Sequence, residues 1–129
     1  MRLYWTCQDE ILFQVAEEFS HLSEKLDFNY VFKASFDKAN RSSLDSYRGP
    51  GIEKGLESLA KVKQRFDLPI ITDIHEPKQA ESVAEVCEIL QIPAFLCRQT
   101  DLVISAAKTK KIINVKKPQF SSANEMSNV

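Results

Sequence analysis

Apolar residues return at helical intervals in three stretches of this chain and bunch into short extended runs between them. Ile11, Val15, Phe19, Leu22 and Leu26 fall on one stripe, with Glu17, Glu18, Ser20 and Glu24 opposite, which predicts an amphipathic helix from Ile11. Ile52, Leu56, Leu59, Val62 and Phe66 form a second stripe after the turn signal Gly49-Pro50-Gly51. Ala80, Val83, Ala84, Cys87 and Leu90 form a third, with Pro77 in a first helical turn, where a missing N–H is harmless. Between these helices, residues 30–34, 70–74, 92–96 and 112–115 read as strands, rich in β-branched and aromatic side chains. The run 70–74 is apolar nearly throughout, as a parallel strand buried on both faces requires. An alanine-rich helix over 101–109, capped by Thr100, separates the last two strands, and the polar tail after Phe120 is expected to be loose.

Strands alternating with helices at this spacing imply βαβ units, parallel strands and an α/β fold class. No repeat, low-complexity tract or linker divides the chain, so residues 1–129 read as a single unit. Residues 1–10 are atypical, with no clear period and at most a short strand at 3–5. Periodicity leaves open whether the sheet is an open doubly wound one or a barrel segment. A closed eight-stranded α/β barrel takes ~250 residues, so 129 residues would supply about half of one.

A formal charge of −1 and a pI near 6.1 argue against a protein whose whole footprint is basic, hence against a nucleic-acid or membrane-surface partner. Cys7, Cys87 and Cys97 are odd in number and widely spaced, which indicates neither a disulfide framework nor a structural zinc site and fits a reducing cytoplasm. No stretch approaches the ~20 apolar residues of a membrane span, so a soluble protein is expected.

The positive groups are local. Lys33-Ala34-Ser35-Phe36-Asp37-Lys38-Ala39-Asn40-Arg41-Ser42-Ser43 interleaves cations with hydroxyl and amide groups, an environment suited to phosphate or carboxylate oxygens, although a solvated basic loop has the same composition. In parallel α/β folds the ligand sits at the carboxyl ends of the strands. Lys33 and Ser35 are expected at the end of the first strand, Asp73 and His75 at the second, Arg98 and Gln99 at the third, Lys116 and Lys117 at the fourth. Gathering such cations would be repulsive without an anion to neutralise them. His75 alone reads more often as a structural histidine than a catalyst, but alternate strand residues face one side, which brings it beside Asp73. Cys97 and Cys87 are assigned to packing, and His21 to a solvated helix surface.

The Lys33–Ser43 stretch, followed by Ser46-Tyr47-Arg48-Gly49-Pro50-Gly51, resembles the signature of the 3-deoxy-D-manno-octulosonate 8-phosphate (Kdo-8-phosphate) synthases, which condense phosphoenolpyruvate in lipopolysaccharide biosynthesis. Ile71-Thr72-Asp73-Ile74-His75-Glu76, then Ile92-Pro93-Ala94-Phe95-Leu96-Cys97-Arg98-Gln99-Thr100-Asp101, then Ile113-Asn114-Val115-Lys116-Lys117-Pro118-Gln119-Phe120 are similar to later motifs of that family, in its order and spacing. The resemblance covers Ile11 onwards and implies a partial (β/α)8 TIM barrel, the N-terminal half of a DAHP synthase/Kdo-8-phosphate synthase type domain. The implied reaction joins phosphoenolpyruvate to D-arabinose 5-phosphate and water. Lys33, Ser35, Lys38, Arg98, Lys116 and Gln119 match the family's phosphoenolpyruvate positions, and Asn40, Arg41 and Ser42 its arabinose 5-phosphate positions. Asp73 and His75 match the catalytic floor.

The sequence also departs from that pattern. The Gly-Pro-Cys or Gly-Pro-Asn turn of the family's first strand is missing from residues 1–10, Lys110 stands where relatives usually have a turn glycine, and Pro118 occurs in only some members. The later arginine, histidine, glutamate and aspartate of the family have no counterpart in 129 residues, so the chain by itself is expected to be inactive. No metal ligand and no cofactor is assigned to this chain, and the metal dependence of a full-length parent stays undecided. A full-length parent is expected to be a homo-oligomer, a tetramer in the family, and half a barrel is expected to expose strand edges. The competing readings are another phosphoenolpyruvate-condensing sugar synthase and a non-catalytic half-barrel that binds phosphate or assists assembly.

Overall fold

The computed structural model describes residues 9–129, so the candidate strand at 3–5 and Cys7 lie outside the described residues. Two compact units divide the chain, one ending at Ile70 and the other running from Ile71 to Val129.

The first unit holds α1 (Asp9–Leu26), β1 (Phe32–Lys33) and α2 (Ile52–Phe66). Helix α1 packs on α2. The Phe13 and Phe66 rings lie 6.2 Å apart, and the Arg65 guanidinium covers both at 5.1 and 5.3 Å. The stripe expected on α1 predicts the helix but overstates its burial. Ala16 is fully buried, whereas Phe19 and Leu26 are 42% and 64% exposed, and Phe19 stacks on Tyr30 at 5.3 Å. On α2, Gly55, Leu59 and Val62 face the core. Strand β1 is shorter than the expected 30–34. Its Phe32 N–H donates to the Pro69 carbonyl at 2.9 Å, but a proline has no N–H to return, and the ladder stops early.

Strand β2 (Ile70–Asp73) is buried at all four positions, as its composition predicts, and it spans the division between the units. The second unit continues with α3 (Ala80–Val86), β3 (Ile89–Ile92), α4 (Thr100–Lys108) and β4 (Ile112–Val115). The strands of this unit run in the order β2-β3-β4. Strands β2 and β3 are parallel with Asp73 opposite Gln91, and β3 and β4 are parallel with Gln91 opposite Asn114. Val83, Cys87, Leu90, Ile92, Leu102 and Ala106 are almost wholly buried in this unit. Ile112 on β4 is 65% exposed, and among the described residues β4 has a strand partner on one side only.

Four expectations need correcting. The third strand lies at Ile89–Ile92 rather than 92–96, because Pro93 cannot donate to an interior ladder; the chain turns instead through a 3-10 segment, Ala94–Leu96. Helix α3 therefore ends at Val86, and Leu90 is buried as a strand residue rather than on a helical stripe. Thr100 begins α4 without capping it, since Gln99 occupies the N-cap position and no side chain caps the helix. The tail is not loose. Ser122 N–H donates to Glu125 Oε2 at 2.6 Å and Glu125 N–H to Ser122 Oγ at 3.3 Å, a reciprocal pair where the 3-10 segment Asn124–Asn128 begins.

Candidate functional site

In the first unit, β1 hands the chain to a segment built around Phe36, which is 1% exposed. Ser35 beside it is 2% exposed, and its hydroxyl accepts from Lys33 Nζ at 2.7 Å and from Lys38 Nζ at 3.3 Å. Two ammonium groups thus share one oxygen, a repulsive pairing that an anion would relieve. Three of the expected phosphoenolpyruvate positions are brought together here.

The loop after Lys38 is held in two places. At its neck, Lys38 N–H donates to the Arg48 carbonyl at 2.6 Å, and Arg48 pairs with the Asp37 carboxylate. At its tip, Arg41 Nη1 donates to the carbonyls of Leu44 and Ser46 at 2.9 and 2.6 Å. Arg41, expected at the arabinose phosphate, therefore shapes its own loop in this structure, while Asn40 and Ser42 are exposed near that tip. Leu44 is 90% exposed.

In the second unit, Asp73 and His75 meet, although β2 ends at Asp73 and His75 lies two residues beyond it. His75 Nε2 lies 3.1 Å from Asp73 Oδ2, with both side chains mostly buried. A carboxylate only accepts, so at this contact His75 Nε2 is the donor. Gln79 fixes the turn that follows, its Oε1 accepting from the backbone N–H groups of His75 at 2.8 Å and Glu76 at 3.2 Å. Register places Gln91 and Asn114 in one row with Asp73, and Asn114 Nδ2 donates to Gln91 Oε1 at 3.2 Å. Sequence reading missed this polar row. The signal was a polar residue in each of two apolar strands, Gln91 and Asn114.

Arg98 is exposed and follows the 3-10 segment rather than the strand itself, so it stands farther from β3 than expected. Lys116 and Gln119 are also exposed, on the segment after β4. Lys117 bonds to the carbonyls of Pro118 and Ser121 at 2.9 and 2.7 Å, which ties down that segment. The Glu125 carboxyl is held below the usual carboxylate range by hydrogen bonds from Ser122, with Arg98 and Lys117 adding attraction. Phe95 and Phe120, both exposed, stack at 6.3 Å. Cys87 and Cys97 are buried, as packing requires, and His21 is exposed.

Among the described residues no three His, Cys, Asp or Glu side chains are grouped to hold a metal ion, and no helix is long and apolar enough to cross a membrane. The family model of the DAHP synthetase I family matches residues 7–129. The chain is 59% identical over 120 residues to 2-dehydro-3-deoxyphosphooctonate aldolase of Pseudomonas fluorescens strain Pf-5, covering 93% of this chain and 43% of that protein. It is 58% identical over 120 residues to the proteins of that name from Acinetobacter baylyi and Marinobacter nauticus, covering 93% of this chain and 42% and 43% of theirs. The chain thus spans less than half the length of these curated relatives. With a match that takes in β1, β2, β3 and β4 and the loops that follow them, the chain belongs to the DAHP synthetase I family.

Proposed function

We propose that this chain carries part of a Kdo-8-phosphate synthase site, in which phosphoenolpyruvate, D-arabinose 5-phosphate and water give Kdo-8-phosphate and phosphate. The observation that supports this best is the convergence of Lys33 and Lys38 on the buried Ser35 hydroxyl. In the reaction the enolpyruvyl carbon attacks the sugar aldehyde, water adds at the neighbouring carbon, and phosphate leaves. Bringing a carboxylate and two phosphates together is opposed by their mutual repulsion, so fixed cations are the main requirement.

Lys33, Ser35 and Lys38 are assigned to phosphoenolpyruvate, as are Arg98, Lys116 and Gln119 by family resemblance. Asn40, Arg41 and Ser42 are assigned to the arabinose 5-phosphate end. Asp73 and His75 serve as a proton-handling pair, His75 taking or returning a proton near the aldehyde. The pathway is lipopolysaccharide biosynthesis, the compartment is the cytoplasm, and the complete enzyme is a homo-oligomer.

The test is complementation. The 129 residues, alone and joined to the remaining segment of a relative, are assayed for phosphate release that requires both phosphoenolpyruvate and arabinose 5-phosphate. We expect turnover only from the joined protein, and loss of it in His75→Ala. Turnover by the 129 residues alone, or none from a folded joined protein, contradicts the proposal.

A further inference from the structure

The loop that carries Lys38 is closed by contacts that the reaction does not account for. Arg48 Nε donates to Asp37 Oδ1 at 2.9 Å and Nη2 to Oδ2 at 2.5 Å, a two-point fork on one carboxylate. The backbone adds Lys38 N–H to the Arg48 carbonyl at 2.6 Å and Gly51 N–H to the Phe36 carbonyl at 3.2 Å. Residues 36–38 are therefore stitched to residues 48–51 on both sides of Asp37. Lys38 follows directly, and its ammonium reaches the Ser35 hydroxyl that Lys33 also holds.

An ion pair whose arginine side chain is 57% exposed contributes little to global stability. Its geometric consequence is larger, because the fork's Asp37 is the immediate chain neighbour of a long, flexible cation that must otherwise be ordered when a ligand binds. We propose that Asp37 and Arg48 form a positioning latch that closes the neck of loop 38–48 and holds Lys38 at Ser35 beside Lys33 before any anion arrives. This rests on the reading of Lys33, Ser35 and Lys38 as the phosphoenolpyruvate seat.

Asp37→Asn separates the latch from plain electrostatics. Removing a negative charge next to an anion seat should tighten anion binding, whereas losing the latch should weaken it. Titration of the 129-residue chain with phosphoenolpyruvate is expected to show Asp37→Asn and Arg48→Ala each weakening binding about three- to tenfold, with Arg48→Lys in between. In a Lys38→Ala background, Arg48→Ala should change affinity less than about twofold, since the latch acts through Lys38. Tighter binding in Asp37→Asn, or an equal loss with and without Lys38, overturns the latch. If the unaltered chain binds no phosphoenolpyruvate, the seat reading fails and the latch is judged without ligand. Side-chain NMR relaxation at Lys38 should then show faster motion in Arg48→Ala while Lys61 is unchanged, and equal motion at Lys38 in both proteins refutes it.

Discussion

Replacing Gly55 by alanine sets two known effects against each other. In the interior of a helix, glycine to alanine favours folding by about 1 kcal/mol, because the backbone loses less freedom. A Cβ at position 55, however, would lie 2.3 Å from Phe36 Cβ and 3.1 Å from Phe36 Cα. Carbon atoms pack at roughly 3.5–4.0 Å, so Phe36 must retreat by more than about 1 Å. Phe36 is 1% exposed and has nowhere to rotate, and overpacking of this kind costs about 1–3 kcal/mol. The clash therefore wins, and Gly55→Ala should destabilise by about 1 kcal/mol, with a Tm lower by roughly 3–6 °C. Two neighbours separate the causes. Gly51 has φ +85 with open space around it, so Gly51→Ala meets backbone strain alone, about 1–2 kcal/mol. Gly49 has φ +129 and would set a Cβ 2.4 Å from the Phe36 carbonyl oxygen, so Gly49→Ala meets both and should be the worst of the three, at roughly 2–4 kcal/mol. Urea unfolding of the three variants reads the order. A Gly55→Ala protein more stable than the parent, by about the helix-propensity gain, would refute the packing of Phe36 against α2.

Two further outcomes follow from local structure. Lys110 has φ 58, the left-handed region, at the turn leading into β4, and Lys110→Gly should stabilise by about 1 kcal/mol in thermal unfolding; a loss of stability would contradict that backbone. The Asp9 carboxyl is held below its usual 3.8 by the Ser58 hydroxyl, then by Lys61. A depressed folded-state value means the unfolded chain binds protons first, so this stabilisation is present above about 3.8 and disappears as pH falls through the lower folded value. An NMR titration of the Asp9 carboxyl carbon should show its midpoint rising in Ser58→Ala, and an unchanged midpoint would remove Ser58 as the main cause.

Much of this was legible in the chain. Helix α2 falls on the stripe ending at Phe66, β2 on the apolar run beginning at Ile70, and Asp73 meets His75 just past the end of that strand. The irregular glycine position at Lys110 also announced itself, since the turn keeps the glycine-type backbone under a lysine. The third strand was displaced because Leu90 satisfies a helical interval and a strand equally well, and only Pro93 separates the two. Contacts between residues far apart in sequence were not legible: the Asp37–Arg48 fork and the Asn114–Gln91 bond depend on register and loop closure, which no local period encodes. The reciprocal Ser122–Glu125 pair has a spacing that can be read in the sequence, inside a polar tail with no apolar period to mark it.

The central claim is that Lys33 and Lys38 form an anion seat on Ser35, and isothermal titration of phosphoenolpyruvate into the chain and into Ser35→Ala, Lys33→Ala and Lys38→Ala tests it most directly. The account predicts saturable binding by the parent, weakened at least about tenfold in each lysine variant and less in Ser35→Ala, with salt opposing it. Equal affinity in the parent and both lysine variants would contradict it.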